Sequence, residues 1–93
     1  MTHSHETEGV RDLRIQTIEL QINVAGSYVL LARNTKDPNQ FESYKHKARA
    51  AYEEARSLLQ SAPMSALQEA TTREQLRLLD DRLKELEITS SGL

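Results

Sequence analysis

The chain has 93 residues, of which 38% are hydrophobic and 28% charged, with 14 acidic against 12 basic side chains and no cysteine. These values describe one small globular domain that is too apolar to be a disordered chain. The missing cysteine excludes disulfides and thiolate chemistry, and the slightly acidic balance argues against a nucleic-acid-binding protein.

The first ten residues, MTHSHETEGV, lack the basic and apolar regions of a secretory leader. The apolar stretch at 29–32 is far too short to cross a membrane. We therefore expect a cytoplasmic protein with no membrane span and with a disordered segment over residues 1–9.

A first helix is predicted over residues 10–33 because apolar side chains recur there at steps of three and four. This periodic set forms a seam of Ile15, Ile18, Ile22, Ala25, Val29 and Ala32. Gly26 lies inside the helix, where glycine costs about 1 kcal/mol relative to alanine. We expect a close approach between helices to compensate for that cost.

A second helix is predicted over residues 38–61. Asp37 is a suitable N-cap, Pro38 fits the first helical position, and Gln40 is placed to complete a capping box. Pro63 marks the end of the helix. The seam of this helix is unusually small and consists of Phe41, Tyr44, Ala48, Ala51, Ala55 and Leu58.

A third helix has two possible starts, because Ser65 and Thr72 each begin a capping-box pattern. We expect a short helical turn from Ser65 and a main helix over residues 72–88, followed by a frayed tail at 90–93. The main helix carries a ridge of leucines, namely Leu76, Leu79, Leu83 and Leu86.

The short link between the first two helices predicts that they run antiparallel. Folding their seams together about this link places Val29 against Tyr44, Ile22 against Ala51 and Ile18 against Ala55. Large side chains then face small ones, which fills a core without voids. The predicted fold is an all-α, antiparallel helical hairpin with a third helix at its side, forming a three-helix bundle over residues 10–89.

A second apolar stripe lies on nearly the opposite side of helix 1 and consists of Leu13, Leu20, Val24 and Leu31. Either helix 3 and the 63–71 segment cover this stripe, or another polypeptide does. We expect the second arrangement, in which the core is completed by a homo-oligomer or by docking on another protein. A two-fold axis near Leu20 and Val24 would let the stripe bury itself against its own copy.

A basic stripe on helix 2 supports another hypothesis, namely binding of nucleic acid or another polyanion. Its members are Lys45, Arg49, Tyr52 and Arg56. Glutamates on the same helix, Glu42, Glu53 and Glu54, dilute its positive field. A solvated face with local ion pairs explains the stripe better, so we rank this hypothesis second.

Catalytic signatures are sparse. His3, His5 and Glu6 resemble a small metal-binding cluster, but no further ligand lies within reach along the sequence. His46 follows Glu42 by one helical turn, as in a solvated pair. With no Gly-rich phosphate loop and no nucleophile motif, we expect neither an enzyme nor a site for a metal, cofactor or small-molecule substrate. The sequence thus favours a helical interaction or structural module.

Overall fold

The computed structural model describes the backbone of residues 2–92 and the side chains of residues 13–88. Its three helices are α1 over Thr2–Asn34, α2 over Pro38–Ser61 and α3 over Ala66–Gly92. No strand occurs among residues 2–92, and α1 packs against both other helices. The prediction of an all-α, three-helix architecture is therefore confirmed.

Helix α1 begins at Thr2, whereas the sequence analysis placed a disordered segment at 1–9 and the helix start at residue 10. Residues 2–9 contain no proline, and extending an existing helix adds a hydrogen bond per residue without a new nucleation cost. The same reasoning applies to α3, which continues to Gly92 instead of ending near residue 88.

The α1–α2 turn is fixed by Asp37, whose side chain caps α2 by accepting the N–H of Asn39 at 2.9 Å. Gln40 does not close the expected capping box. Its Oε1 accepts the hydroxyl of Thr35 at 2.8 Å, and the Thr35 oxygen accepts the N–H of Asp37 at 3.2 Å. Thr35 thus bridges the Gln40 side chain and the Asp37 N–H, which a capping box would join directly.

Helix α3 begins at the first of its two possible starts. The Gln68 N–H donates to Ser65 Oγ, and the Ser65 N–H donates to Gln68 Oε1, both at 3.2 Å. This is a complete capping box. The helix therefore begins at Ala66, six residues before the predicted main start at Thr72, and Thr72 itself is buried.

The hairpin register lies close to the predicted one. Tyr28, one residue before the predicted partner of Tyr44, stacks on Tyr44 with ring centroids 6.0 Å apart. Near the open end, Arg14 Nη1 donates to the carbonyl oxygen of Ser61 at 3.2 Å. These contacts tie the start of one helix to the end of the other, as an antiparallel hairpin requires.

Small side chains fill the centre of the hairpin. Ile18, Ala25, Ala48 and Ala55 have no exposed surface at all. On its other side, α2 buries Tyr52 and Leu59, and α3 contributes the predicted leucine ridge of Leu76, Leu79, Leu83 and Leu86. One continuous core therefore joins the alanine seam to the leucine ridge.

Candidate interaction surface

The outer side of α1 exposes leucines. Leu13 is 63% exposed, Leu20 59% and Leu31 45%, so three of the four side chains predicted for an interface lie in solvent within the monomer. Val24, the fourth, is partly buried and packs against the core. The structure thus places Val24 at the edge of this stripe and not at its centre.

Leu30 belongs to the same surface and is 61% exposed. The sequence analysis missed it because it fits neither stripe of α1. It follows the buried Val29 by one residue, which places it about 100° around the helix from that member of the seam. A helical wheel would have revealed Leu30, because it is a leucine that lies between the two stripes and that neither stripe would bury.

This surface carries no charge over more than three helical turns. From Leu20 to Ala32 the sequence reads LQINVAGSYVLLA and contains no Asp, Glu, Lys or Arg. The exposed residues within this run are Leu20, Asn23, Ser27, Leu30 and Leu31. Both α2 and α3 carry charged side chains along their length, so the uncharged exposed face is a feature of α1. We call it the α1 face.

A groove between α1 and α3 borders the α1 face. Two cavities of about 440 and 410 Å³ lie along it, and both are lined by Ile22, Asn23 and Gln75. The only charged side chains among their linings are Glu19 and Arg82. The groove therefore extends the uncharged surface of α1 toward α3.

The α3 side of this groove is apolar and exposed. Leu67 is 78% exposed and Leu78 is 46% exposed, and each lines one of the two cavities. Leu30 lines the same cavity as Leu78. α3 therefore leaves the groove open and adds apolar surface to it.

Gly26 lines this groove and faces open space. A Cβ atom placed on Gly26 would have nothing within 4 Å. The close approach of α1 and α2 was expected where Ala25 meets Ala48, and both of these alanines are fully buried. Gly26 itself points away from that contact, toward the groove.

Arg49, the centre of the predicted basic stripe, joins α2 to α3. Its guanidinium donates to Asp80 at 3.3 Å and to Glu87 at 2.8 Å and lies 5.5 Å from the ring centroid of Tyr52. Burial acts to lower the pKa of Arg49, but the hydrogen bonds that it donates to Glu87 and Asp80, together with the charges of these carboxylates, outweigh burial and raise that pKa. The pKa of Asp80 is lowered by hydrogen bonds from Lys84 and from Arg49.

The other members of that stripe are also engaged. Tyr52 is only 8% exposed and lies in the core. Lys45 Nζ is 3.0 Å from a Glu42 oxygen, and Arg56 Nη1 is 3.8 Å from Glu53. The stripe thus has a carboxylate beside each cation and its aromatic ring inside the protein.

A cleft of about 390 Å³ between α2 and α3 gathers three arginines that the sequence analysis did not group. Arg73 pairs with Glu69 at 2.9 Å, and Arg77 lies 3.1 Å from Asp81 and 2.6 Å from Glu74. Arg56, the third, has Glu53 beside it. Intrahelical pairs of this kind leave little net positive field for an anionic ligand.

Metal-binding and membrane-spanning features can be checked over the described part of the chain. No group of three or more His, Cys, Asp or Glu side chains there is placed to hold a metal ion. The side chains of His3, His5 and Glu6 lie outside the described residues. No helix within 2–92 is both long enough and apolar enough to cross a bilayer.

Comparison with protein-family models, with curated proteins and with solved structures finds no match to this chain.

Proposed function

We propose that this protein is a small helical interaction module that associates with a second copy of itself through the α1 face. The observation that carries the proposal is the exposure of Leu20, Leu30 and Leu31 on a helix segment without a single charge. Protein surfaces rarely expose contiguous apolar patches without a partner, and charged residues are depleted at the centres of interfaces.

Covering the exposed leucines of α1 would release free energy. Moving a fully exposed leucine side chain into an apolar contact is worth about 1.5–3 kcal/mol. Leu13, Leu20, Leu30 and Leu31 are each between 45% and 63% exposed, so each retains a substantial share of that free energy. A contact that covers all four would offset much of the entropy lost in association.

The absence of charge on the α1 face is compatible with a second copy as the partner. In a two-fold interface, residues near the axis meet their own copies, so any charge there is repelled by itself. Between Leu20 and Ala32 the face has no such charge.

The test is the molar mass in solution, measured by light scattering over a range of concentrations. We expect a dimer in the wild type and a monomer in Leu20→Glu, with little change on raising the salt concentration because the contact is apolar. Ile88→Glu is the control, since Ile88 is 71% exposed on α3 away from the leucine ridge. A wild type that stays monomeric at high micromolar concentration would overturn the proposal.

A further inference from the structure

Two opposite charges lie in the groove between α1 and α3. Glu19 lines one of its two cavities and Arg82 lines the other, and both side chains are exposed. Among residues 13–88 neither of them takes part in an ion pair, although Lys84, close to Arg82 on α3, pairs with Asp80 at 3.1 Å. Both charges are therefore available to a partner.

The two charges lie at different levels of the groove. One cavity joins the earlier parts of α1 and α3, and the other joins their later parts, so the two helices run in the same direction. Arg82 shares its cavity with Leu30, which follows Glu19 by eleven residues. The charges are thus about 16 Å apart along the groove, too far to pair within one chain.

We infer that these charges set the register of the second copy, such that the two copies lie antiparallel and Glu19 of each pairs with Arg82 of the other. This inference rests on the proposed function and adds the residues that orient the contact. A two-fold interface uses the same surface on both copies, so that surface must be complementary to itself. One available acid and one available base meet this condition when the two-fold axis lies midway between them, near residues 24 and 25.

Charge complementarity is the reason for choosing a second copy as the occupant. A second copy carries both charges at the required spacing by symmetry. An unrelated helix would need a base opposite Glu19 and an acid opposite Arg82, placed about 16 Å apart. Opposite charges at two fixed points also exclude the parallel arrangement, because only the antiparallel copy brings each acid to the level of a base.

The same contact reaches the α1 face. Each residue of a helix turns by about 100°, so Asn23 lies about 40° around α1 from Glu19, and Ser27 lies about 20° from Leu20. Asn23 and Ser27 are exposed and lie between these two sides. A partner helix centred on them has Glu19 and the groove at one edge and Leu20 at the other. The ion pairs then lie at the rim of an apolar contact, where interfaces usually carry their charges.

Ion pairs at a rim fix orientation more than they add affinity. An exposed pair strengthens a contact by about fivefold at most, so the leucines of the α1 face still supply most of the association. Reversing one charge has a larger effect. Because each pair occurs twice in the dimer, one substitution replaces two attractive contacts with two repulsive ones.

Charge reversal tests the register. Glu19→Arg and Arg82→Glu should each weaken dimerisation by about tenfold, measured as the dissociation constant from light scattering. An equimolar mixture of the two variants should dimerise about as tightly as the wild type, because in the mixed dimer every reversed charge meets an opposite one. The double variant Glu19→Arg/Arg82→Glu should recover in the same way, and its net charge equals that of the wild type.

The control is Glu54→Arg/Arg82→Glu, which has the same composition as the double variant but leaves Glu19 in place. Glu54 is an exposed residue of α2 that lines neither cavity. We expect this control to stay as weak as Arg82→Glu alone. Circular dichroism at low concentration should give the same helix content for all variants, since the substituted side chains are exposed and make no ion pair in the monomer.

The outcomes separate this inference from the proposed function. Single variants that dimerise as tightly as the wild type would overturn the register and leave the proposed function intact. Weakened single variants that do not recover in the mixture would also overturn it and would assign the two charges to a different partner. A wild type without self-association would overturn both.

Discussion

Alanine determines the shape of this molecule at the scale of single residues. Ala25, Ala48 and Ala55 are fully buried, so the backbones of α1 and α2 approach where larger side chains would hold them apart. Ile18 supplies bulk in the same core. Because these alanines are fully buried, we expect larger side chains at their positions to overpack the core and lower the free energy of unfolding.

The first prediction compares two neighbouring alanines of α2. Ala51 is 6% exposed in the seam, whereas Ala50 lies on the exposed side of the helix. Ala51→Leu should lower the free energy of unfolding by about 1–3 kcal/mol through overpacking. Ala50→Leu should change it by less than about 0.5 kcal/mol. Denaturant unfolding of both variants measures the difference, and equal effects would contradict the seam described above.

The second prediction concerns Gly26. Because a Cβ there meets nothing within 4 Å, Gly26→Ala should stabilise the monomer by about 0.5–1 kcal/mol through helix propensity. The measurement belongs in a Leu20→Glu background, where association does not contribute. Loss of stability would show that α1 does come close to another part of its own chain at this point.

At the scale of helices, the order and the seams could be predicted from spacing, but the position of α3 could not. Steps of three and four identify which side of each helix is apolar. They do not say where a third helix lies around a hairpin. Tyr52 shows the consequence, because it shares a side of α2 with Arg49 and the sequence alone does not tell whether that side faces water or α3.

The interaction surface was likewise predictable only where it depends on α1 alone. The stripe containing Leu13, Leu20 and Leu31 follows from helical periodicity. Leu67 and Leu78 do not, since their exposure depends on how α3 sits beside α1. The start of α3 was also ambiguous, because two capping boxes compete in the sequence and only one of them, at Ser65, begins the helix.

The third prediction concerns the ion pair that joins α2 to α3. Hydrogen bonds from Lys84 and from Arg49 lower the pKa of Asp80 from an ordinary value near 3.8. The stabilisation is therefore complete above that value and is lost as the pH falls through the lowered pKa. Asp80 remains partly exposed, so we expect the pair to contribute only about 0.5–1 kcal/mol.

Asp80→Asn measures this contribution. At neutral pH the variant should be less stable than the wild type, and the gap in the free energy of unfolding should narrow as the pH falls through the lowered pKa of Asp80. Ser57→Asn, on the exposed side of α2 and outside the Arg49–Asp80–Lys84 group, is a control for the amide. A gap independent of pH would show that the loss arises from packing and not from the charge.

The whole molecule is a thin bundle in which one face of α1 is left uncovered. Its Cα atoms extend 58 × 21 × 16 Å, so no part of the core is deep. Leu13, Leu20, Leu30 and Leu31 of α1 are among its exposed large hydrophobic side chains. α2 covers the seam of α1 and α3 covers the side of α2. The α1 face is left without a covering element in the chain as described.

The last prediction follows from the uncovered α1 face. If a second copy covers the α1 face, folding and association are linked, and the melting temperature Tm rises with protein concentration by mass action. We expect a continuous rise in the Tm of the wild type between low and high micromolar concentration. Circular dichroism at matched path lengths measures it.

Leu20→Glu should show a Tm that does not depend on concentration and that matches the low-concentration limit of the wild type, because a substitution at a side chain 59% exposed leaves the monomer core intact. Raising the salt concentration should leave the wild-type slope nearly unchanged, since no charge lies between Leu20 and Ala32. A slope that vanished in salt would instead indicate association through the charged surfaces of α2 and α3. That result would mean that the α1 face remains exposed to solvent.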